Sequence, residues 1–551
     1  MAVLLALVMV AVGLVSMLAV SRRNAPVWDE VHFYGIGYYY LKTHQFNIPG
    51  AGIHPPASYY LNSVGLLGRD IPLRVFDPLP PGEQVVRNLG APDPDRGNRL
   101  LAGLGFEPFF VGRVPFILAW AGLGVLVFLW SRQAFGPADG LLSLALYLLC
   151  PNLAAHGHLM TTDFLVSALI FASLFLLAQC LLRPGTGVLV GLLACLSLAP
   201  AVKLTGLMAL PLLALSIGIF SVFGKELKVH VPFRGTRAVG RPAFLLYWAC
   251  FGVVAAAALY LVFVALYLGD FSLRALRVNV ELVALCRERG HAVLLDGEIS
   301  RHGFARFYLL AILYKTPTAA LVAWMLSMVL PRRGRRCAWA VPVGLALGFG
   351  LLVSFSGYTL GLRYALVVFP LLYVAAGRFL LEVGRASREA RLRAGLAFLL
   401  VLACLAEHVQ VWPFPRSYMN PLLVRGPKCE TLADTDLDWG EGLFALRDFM
   451  REKGIAAVPL SYNGSVWPEI AGVKTSWYEN PLIPYRDLRP FPRHGLFVIS
   501  ATNLGGLYFD QDKYAWLRRE TPLRVLGGAL HVYDLDRLPR FLDGTPRPRL
   551  P

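Results

Sequence analysis

Two adjacent carboxylates, Asp29 and Glu30, follow the first apolar stretch of the chain directly, within WDEVHFYGIGYYY (28–40). An ionised carboxylate at a membrane surface is costly unless it faces water, a cation or a substrate, so the pair marks a candidate site. Against apolar walls a carboxylate is pushed towards the proton affinity of a general base. Two neighbouring acids cannot both point the same way. One is expected to work on a reacting hydroxyl, the other to orient loops or hold a cation; the plain alternative is a solvated cap after a membrane helix. His32 and a run of aromatics follow, then IHPPASYYL (53–61), a His-Pro-Pro turn that contributes His54. A third acid, Asp163, sits in HGHLMTTDF (156–164) at the start of a later apolar stretch. It could face Asp29 across one cavity, and it also suits the first turn of a helix. His156 and His158 read as interface histidines.

The basic candidates also flank apolar stretches. Lys203 lies in APAVKLTGL (199–207), and Arg301, His302, Arg306 and Lys315 lie along LLDGEISRHGFARFYLLAILYKTP (294–317). Arg363 lies in GYTLGLRYALVVFP (357–370). A phosphate group calls for Lys or Arg, and Arg can bind it bidentately. The competing reading is snorkelling to lipid headgroups. Near the C-terminus, DTDLDWGEGL (434–443) carries several acids and a Trp but lacks the EF-hand pattern, and reads as a structural turn and helix start.

The elements that must position these residues are apolar helices. The chain has 551 residues, is 56% hydrophobic and 16% charged, and has a mean hydropathy of +0.55. A soluble chain is about 25% charged, so this composition describes a polytopic membrane protein. Eleven stretches suit spans of roughly 20 residues: 2–20, 112–130, 140–156, 164–182, 188–202, 204–223, 243–268, 314–331, 337–353, 364–378 and 394–411. The first lacks a basic n-region and a small-residue cleavage site, so it is expected to be retained. The net charge of +17 reports basic loops rather than nucleic-acid binding, for which no motif is present. The loops 131–139, 183–187, 224–242, 332–336 and 378–393 hold 16 basic and 4 acidic residues, whereas 269–305 is balanced at five and five. The positive-inside rule then puts the N-terminus in the cytoplasm and 21–111, 269–305 and 412–551 outside.

Within the first outer loop, DPLPPGEQ (77–84) and LGAPDPDRG (89–97) look irregular, and 33–41 suits a helix in the interface with its tyrosines in the aromatic belt. In the tail, LFVIS (496–500) and HVYDL (531–535) alternate like strands, and EGLFALRDFMREKG (441–454) has helical spacing. The expected architecture is an α-helical polytopic domain, 1–411, followed by a small extracytoplasmic α/β domain, 412–551. Of the eight cysteines, only Cys286 and Cys429 fall in outer loops, where a disulfide is open to them. No zinc-type spacing occurs. The acids could hold a divalent cation, but no full ligand set is apparent, and no cofactor is firmly expected.

Taken in order, the Asp29-Glu30 pair, HPPASYYL, HGHLMTTDF, AVKLTGL, DGEIS…YKTP, LGLRYALVVFP, and DTDLDWGEGL followed by LSYNG (460–464) resemble the lipid-carrier-dependent glycosyltransferases of the GT-C fold. The likeness is strongest to the branch of protein O-mannosyltransferases and aminoarabinose lipid A transferases, in bacterial form. That resemblance implies a polyprenyl-phosphate-sugar donor, inversion at the anomeric carbon, an extracytoplasmic hydroxyl acceptor on a protein, lipid or glycan, and a site on the outer face of a bacterial inner membrane. Asp29 then matches the base, Glu30 its neighbour and Asp163 the acid of the second outer turn. His54, Lys203, Arg301, His302, Lys315 and Arg363 are the candidates for the donor and its phosphate. The tail departs from the family pattern at Thr435 and Glu441, where Asn and Gln are expected, a departure expected to lie away from the chemistry. The rival is a non-catalytic lipid-linked-sugar carrier or flippase, which would spread its charges through the membrane depth.

Overall fold

The computed structural model describes residues 1–77, 93–329, 336–356, 358–378, 388–482, 490–509 and 513–538. Arg332, Arg333, Arg335, Glu382 and Arg385 of the basic loops, and all of DPLPPGEQ after Asp77, lie outside the described residues.

Inside a bilayer the backbone must satisfy its own hydrogen bonds, which a helix does. Among the described residues, six helices are long and apolar enough to cross: Ala2–Arg23, Glu107–Ala134, Thr162–Leu182, Leu204–Phe223, Arg241–Leu266 and Arg391–Val411. Two bent pairs add to them, Pro137–Leu148 with Pro151–Gly157 at 64° and Phe307–Lys315 with Thr318–Val329 at 111°. Three shorter apolar helices, Thr186–Val202, Ala340–Ser354 and Val368–Gly377, complete the eleven stretches read from the sequence. The protein is thus helical and multi-pass. Both bends have a proline as their cause. A residue before proline is driven out of the helical region, and Cys150 before Pro151 and Thr316 before Pro317 are both extended.

The first outer loop is more ordered than its composition suggests. It forms helices Trp28–Phe33, Ile36–Thr43, Ala57–Asn62 and Pro94–Leu104. The last begins inside LGAPDPDRG, which is therefore not irregular throughout: Asp93 caps it through the amides of Asp95 and Arg96, with Pro94 in the first turn. The helix expected near 33–41 is present, but its tyrosines do not form an interfacial belt. Tyr38, Tyr39 and Tyr40 are buried, packed against Phe76, Phe46 and Tyr59. Folding of the loop over the helix removes those rings from the lipid surface.

Two hairpins, β1 (Lys228–Val231) with β2 (Gly235–Ala238) and β3 (Val293–Leu295) with β4 (Glu298–Ser300), decorate the loops. The tail carries the expected strands and helix. Its five-stranded sheet runs β6-β5-β7-β9-β8, from β5 (Val458–Ser461), β6 (Thr475–Glu479), β7 (Leu496–Ser500), β8 (Arg524–Leu526) and β9 (Leu530–Asp534). β5 pairs in parallel with β6 and β7, while β9 pairs antiparallel with β7 and β8. Helix Leu443–Lys453 has an apolar side, including Leu443, Leu446 and Phe449, that joins the same core as β5 residues Val458 and Leu460.

The tail is sewn onto the first outer loop by backbone bonds. Ala25 N–H donates to Glu441 O at 3.0 Å and Trp28 N–H to Trp439 O at 3.1 Å. Ser465 Oγ donates to Trp28 O at 3.0 Å, and Asn98 Nδ2 to Ser465 O at 2.7 Å. Cys286 and Cys429 are free thiols.

One close backbone approach in the loop after the first span is at Gly37, where an added Cβ would lie 2.1 Å from Tyr59 O. Backbone on both sides leaves no room to yield. Gly37→Ala is expected to cost about 2 kcal/mol, read as a lowered Tm of the detergent-solubilised protein.

Candidate active site

Four ionised side chains from four segments meet at one set of helix ends. Arg363 Nη1 donates to Asp29 Oδ2 at 2.7 Å and lies 3.5 Å from Asp163 Oδ2. Lys203 Nζ donates to the other oxygen of Asp163 at 2.5 Å, and sits 4.1 Å from the centre of the Tyr364 ring. The order Asp29–Arg363–Asp163–Lys203 alternates in sign and sums to neutral. Asp163, Lys203 and Arg363 are at most 9% exposed along their side chains, whereas Asp29 is 20% exposed. Asp29 is therefore the acid that solvent or a substrate can reach. Burial, reinforced by Asp163, raises its carboxyl above the usual range, against the opposing pull of Arg363 and Lys203.

Each member sits where a helix begins or ends. Asp163 opens Thr162–Leu182, Lys203 follows Thr186–Val202, and Arg363 lies in the turn Leu362–Ala365 that precedes Val368–Gly377. Asp29 is in the short helix Trp28–Phe33 after the first span. That helix is anchored by its other acid. Glu30 is fully buried, with Arg113 Nε on Oε1 at 2.8 Å and Arg113 Nη2 on Oε2 at 2.5 Å. It also accepts the amides of Val27 at 3.0 Å and Met160 at 2.9 Å. Arg113 spends its remaining donors on the carbonyls of Ser21, Asn24 and Ala25. The acidic pair thus divides: Glu30 points inward and ties the end of the first span, helix Glu107–Ala134 and the 156–163 turn together, while Asp29 points to the cluster.

Arg363 is held from the tail. Leu362 N–H donates to Asp436 Oδ1 at 2.8 Å, and the Arg363 guanidinium lies 4.8 Å from the Trp439 ring centre. Burial pushes the Asp436 carboxyl up to about 6.

The remaining sequence candidates are not members of this ion-pair chain. His54 is edge-on to Phe33 at 5.5 Å; burial, then Lys203, bring its imidazole down to about 3, so it faces the cluster as a neutral ring. Lys315 is buried and gives its three protons to the carbonyls of Arg416, Tyr418 and Asp436, each at 2.6 Å. Its ammonium is thus consumed in joining the bent span to the tail. Arg301 and His302 are exposed on the turn after β4, outside the cluster. A cavity of about 290 Å³ between Asp296, Tyr314, Arg425 and Glu430 shares no lining residue with the cluster. Among the described residues, no three His, Cys, Asp or Glu side chains are grouped to hold a metal ion.

Sequence reasoning missed Arg113, Trp439 and Tyr364. Arg113 had a signal, an arginine inside an apolar stretch that must find a buried partner. It also placed DTDLDWGEGL away from the chemistry, and the structure corrects this: Trp439 touches Arg363, and Glu441 pairs with Arg416 at 2.8 Å beneath the same ring.

Residues 99–248 match the family model described as dolichyl-phosphate-mannose-protein mannosyltransferase. The matched segment holds Arg113, Asp163 and Lys203. The likeness to polyprenyl-phosphate-sugar glycosyltransferases drawn from the motifs therefore recurs in an independent comparison. No curated protein matches the chain. Among solved structures, ArnT from Cupriavidus metallidurans in the apo state is 13% identical, with a TM-score of 0.48 over 96% of this chain and 97% of that one. The same protein bound to undecaprenyl phosphate gives 16% identity and 0.47, over 74% of this chain and 65% of that one. The oligosaccharyltransferase of Archaeoglobus fulgidus, in complex with zinc and sulfate, gives 12% identity and 0.40, over 88% and 59%.

The two adjacent acids should separate experimentally. Glu30→Gln leaves the Arg113 charge buried with no full counter-charge and should cost about 3–5 kcal/mol. Asp29→Asn leaves Arg363 its second carboxylate and should lower the Tm much less. Thermal unfolding of both variants checks the order; a larger loss for Asp29→Asn would refute the division.

Proposed function

We propose that the chain is an inverting glycosyltransferase of a bacterial inner membrane. It moves a sugar from a polyprenyl-phosphate carrier to a hydroxyl of a protein, lipid or glycan on the extracytoplasmic side. The observation that carries this reading is the placement of one reachable carboxylate, Asp29, against the cations Arg363 and Lys203, all at helix ends. The match to the mannosyltransferase family model over residues 99–248 supports the same chemistry.

In this mechanism Asp29 accepts the proton of the acceptor hydroxyl as its oxygen attacks the anomeric carbon. The carbon–oxygen bond to phosphate breaks on the opposite side, so the anomeric configuration inverts. Arg363 and Lys203 stabilise the charge that grows on the departing phosphate, in a site too dry for water to do so. Asp163 keeps both cations in place, and neutral His54 packs beside the donor. Arg301 and His302, on the exposed turn, attract an anionic carrier on its approach. Glu30 and Lys315 act by holding the scaffold. We read 1–411 as the membrane domain and 412–551 as an extracytoplasmic domain, with the N-terminus in the cytoplasm. The basic loops support this orientation.

The rival is a carrier that moves the lipid-linked sugar without chemistry. The end-of-helix placement of all four charges favours an enzyme, because a transport path needs polar groups along its length.

Asp29→Asn is expected to lower transfer of labelled sugar from a synthetic polyprenyl-phosphate donor by roughly 10²–10⁴-fold, the range of a lost general base. A base with a raised pKa is protonated, and lost, at a higher pH than an ordinary carboxylate. The acid limb of kcat/KM should therefore lie higher in pH than the titration of an ordinary aspartate. Equal transfer by wild type and Asp29→Asn would remove the base from the mechanism. No transfer from any donor by folded protein would favour the carrier.

A further inference from the structure

Two motifs of the tail, DTDLDWGEGL and LSYNG, have no role in the transfer step as drawn above. Both converge on one side chain. Trp439 is 2% exposed, in a chain segment otherwise remote from Asp29 in sequence. Two guanidinium groups approach its ring, Arg363 at 4.8 Å and Arg416 at 5.2 Å from the ring centre. Two cations on one ring repel each other unless each has its own anion. Arg416 has Glu441 at 2.8 Å, and Arg363 has Asp29 and Asp163.

The backbone of Trp439 is fixed as firmly. Its N–H donates to Glu441 Oε2 at 2.8 Å, and its carbonyl accepts the Trp28 N–H, at the start of the helix that bears Asp29. The next residue, Gly440, has φ of +100°, where an added Cβ would lie 2.7 Å from Tyr462 Oη. Tyr462 Oη donates to Gly440 O at 2.7 Å, and Asn463 Nδ2 donates to Asp438 O at 3.0 Å. The LSYNG segment is thus the clamp for this turn. Trp439 also packs with Val27, Trp28 and Leu159, on both sides of the cluster.

We infer that Trp439 is a positioning residue: its ring holds Arg363 and its carbonyl holds the Asp29 helix, so that one tail residue sets the spacing between the base and the phosphate-binding cation. This rests on the proposed glycosyl transfer. The flat face of an aromatic ring attracts a guanidinium without hydrogen-bonding it. It therefore orients Arg363 beside the bond from its Nε to Leu360 O at 2.9 Å, while leaving its Nη groups for the carboxylates and a phosphate. The charged groups that act on Asp29 are Arg363, Asp163 and Lys203, and its charge is felt by Tyr59, Tyr358, Tyr364 and Tyr508. Of these, Arg363 is the group that the Trp439 ring touches.

The test compares wild type, Trp439→Phe and Trp439→Leu in transfer from a short polyprenyl-phosphate sugar and in binding of sugar-free polyprenyl phosphate. Trp439→Phe keeps an aromatic face and should stay within about threefold of wild type, whereas Trp439→Leu should lose at least about tenfold in kcat/KM, mostly through a higher donor KM. The acid limb of Trp439→Leu should also move to higher pH, as Arg363 drifts from Asp29. Equal KM and equal limbs in all three proteins would overturn the inference. So would a Trp439→Leu loss explained wholly by less folded protein, measured by thermal unfolding. If Trp439→Leu does not insert, fluorinated tryptophans at 439 replace it. They keep the shape and weaken the ring's pull on a cation, and a donor KM that fails to rise along that series overturns the inference. Absence of transfer by wild type would instead refute the proposed function. The positioning role is then decided by the polyprenyl-phosphate Kd, which must weaken at least about fivefold in Trp439→Leu and not in Trp439→Phe.

Discussion

Asp29 and Asp163 share one cation, Arg363, and without it the two carboxylates could not stay ionised side by side in a dry site. That requirement shapes much of this end of the helix bundle. A guanidinium between two acids must be carried on a segment that ends in the right place, and the turn Leu362–Ala365 does this between two apolar helices. Lys203 completes the balance from the end of another helix. Every member reaches the cluster from a helix terminus, because only there can a charged side chain leave the bilayer core without dragging unpaired backbone with it.

The same constraint explains why the acidic pair is not redundant. Asp29 can serve as a reachable carboxylate only if its short helix is held still, and a six-residue helix has little stability of its own. Glu30 supplies that rigidity through Arg113 and two backbone amides. Removing two opposite charges from water together is tolerable when the geometry is bidentate and every donor is used. Arg113 meets that condition, with all its remaining bonds on carbonyls of the chain leading to Asp29.

The apolar stretches were legible as helices, although six are long enough singly, two are bent pairs and three are shorter than a full span. The charged residues at their ends were legible as candidates, and Asp29, Asp163, Lys203 and Arg363 do converge. What residue type could not reveal was which bases are free. Lys203 and Lys315 both flank an apolar stretch, yet one meets a carboxylate and the other three carbonyls. That difference depends on where residues 416–436 pass, a contact across more than a hundred residues. The tyrosines of 38–40 misled for a related reason: an amphipathic aromatic run looks the same whether lipid or a folded loop covers it. Trp439 carried no local signal, because its importance lies in what two distant arginines do around it.

The alternating cluster also has a consequence for how charge moves in the proposed reaction. A phosphodiester donor brings one negative charge and departs as a phosphate monoester with two. In the same step Asp29 gains the acceptor's proton and loses its charge. Total charge is conserved, but it shifts from the carboxylate to the phosphate. Arg363, which pairs with Asp29 before the reaction, is released by the protonation of Asp29 as the phosphate needs a second positive partner. A single guanidinium within reach of both groups can follow that shift with little movement, whereas separate cations for each would leave one carboxylic acid facing an unneeded charge. Such preorganisation works only while the guanidinium is held in one plane by something other than the groups it exchanges between. The indole against it, anchored from the C-terminal tail, meets that need without competing for its hydrogen bonds.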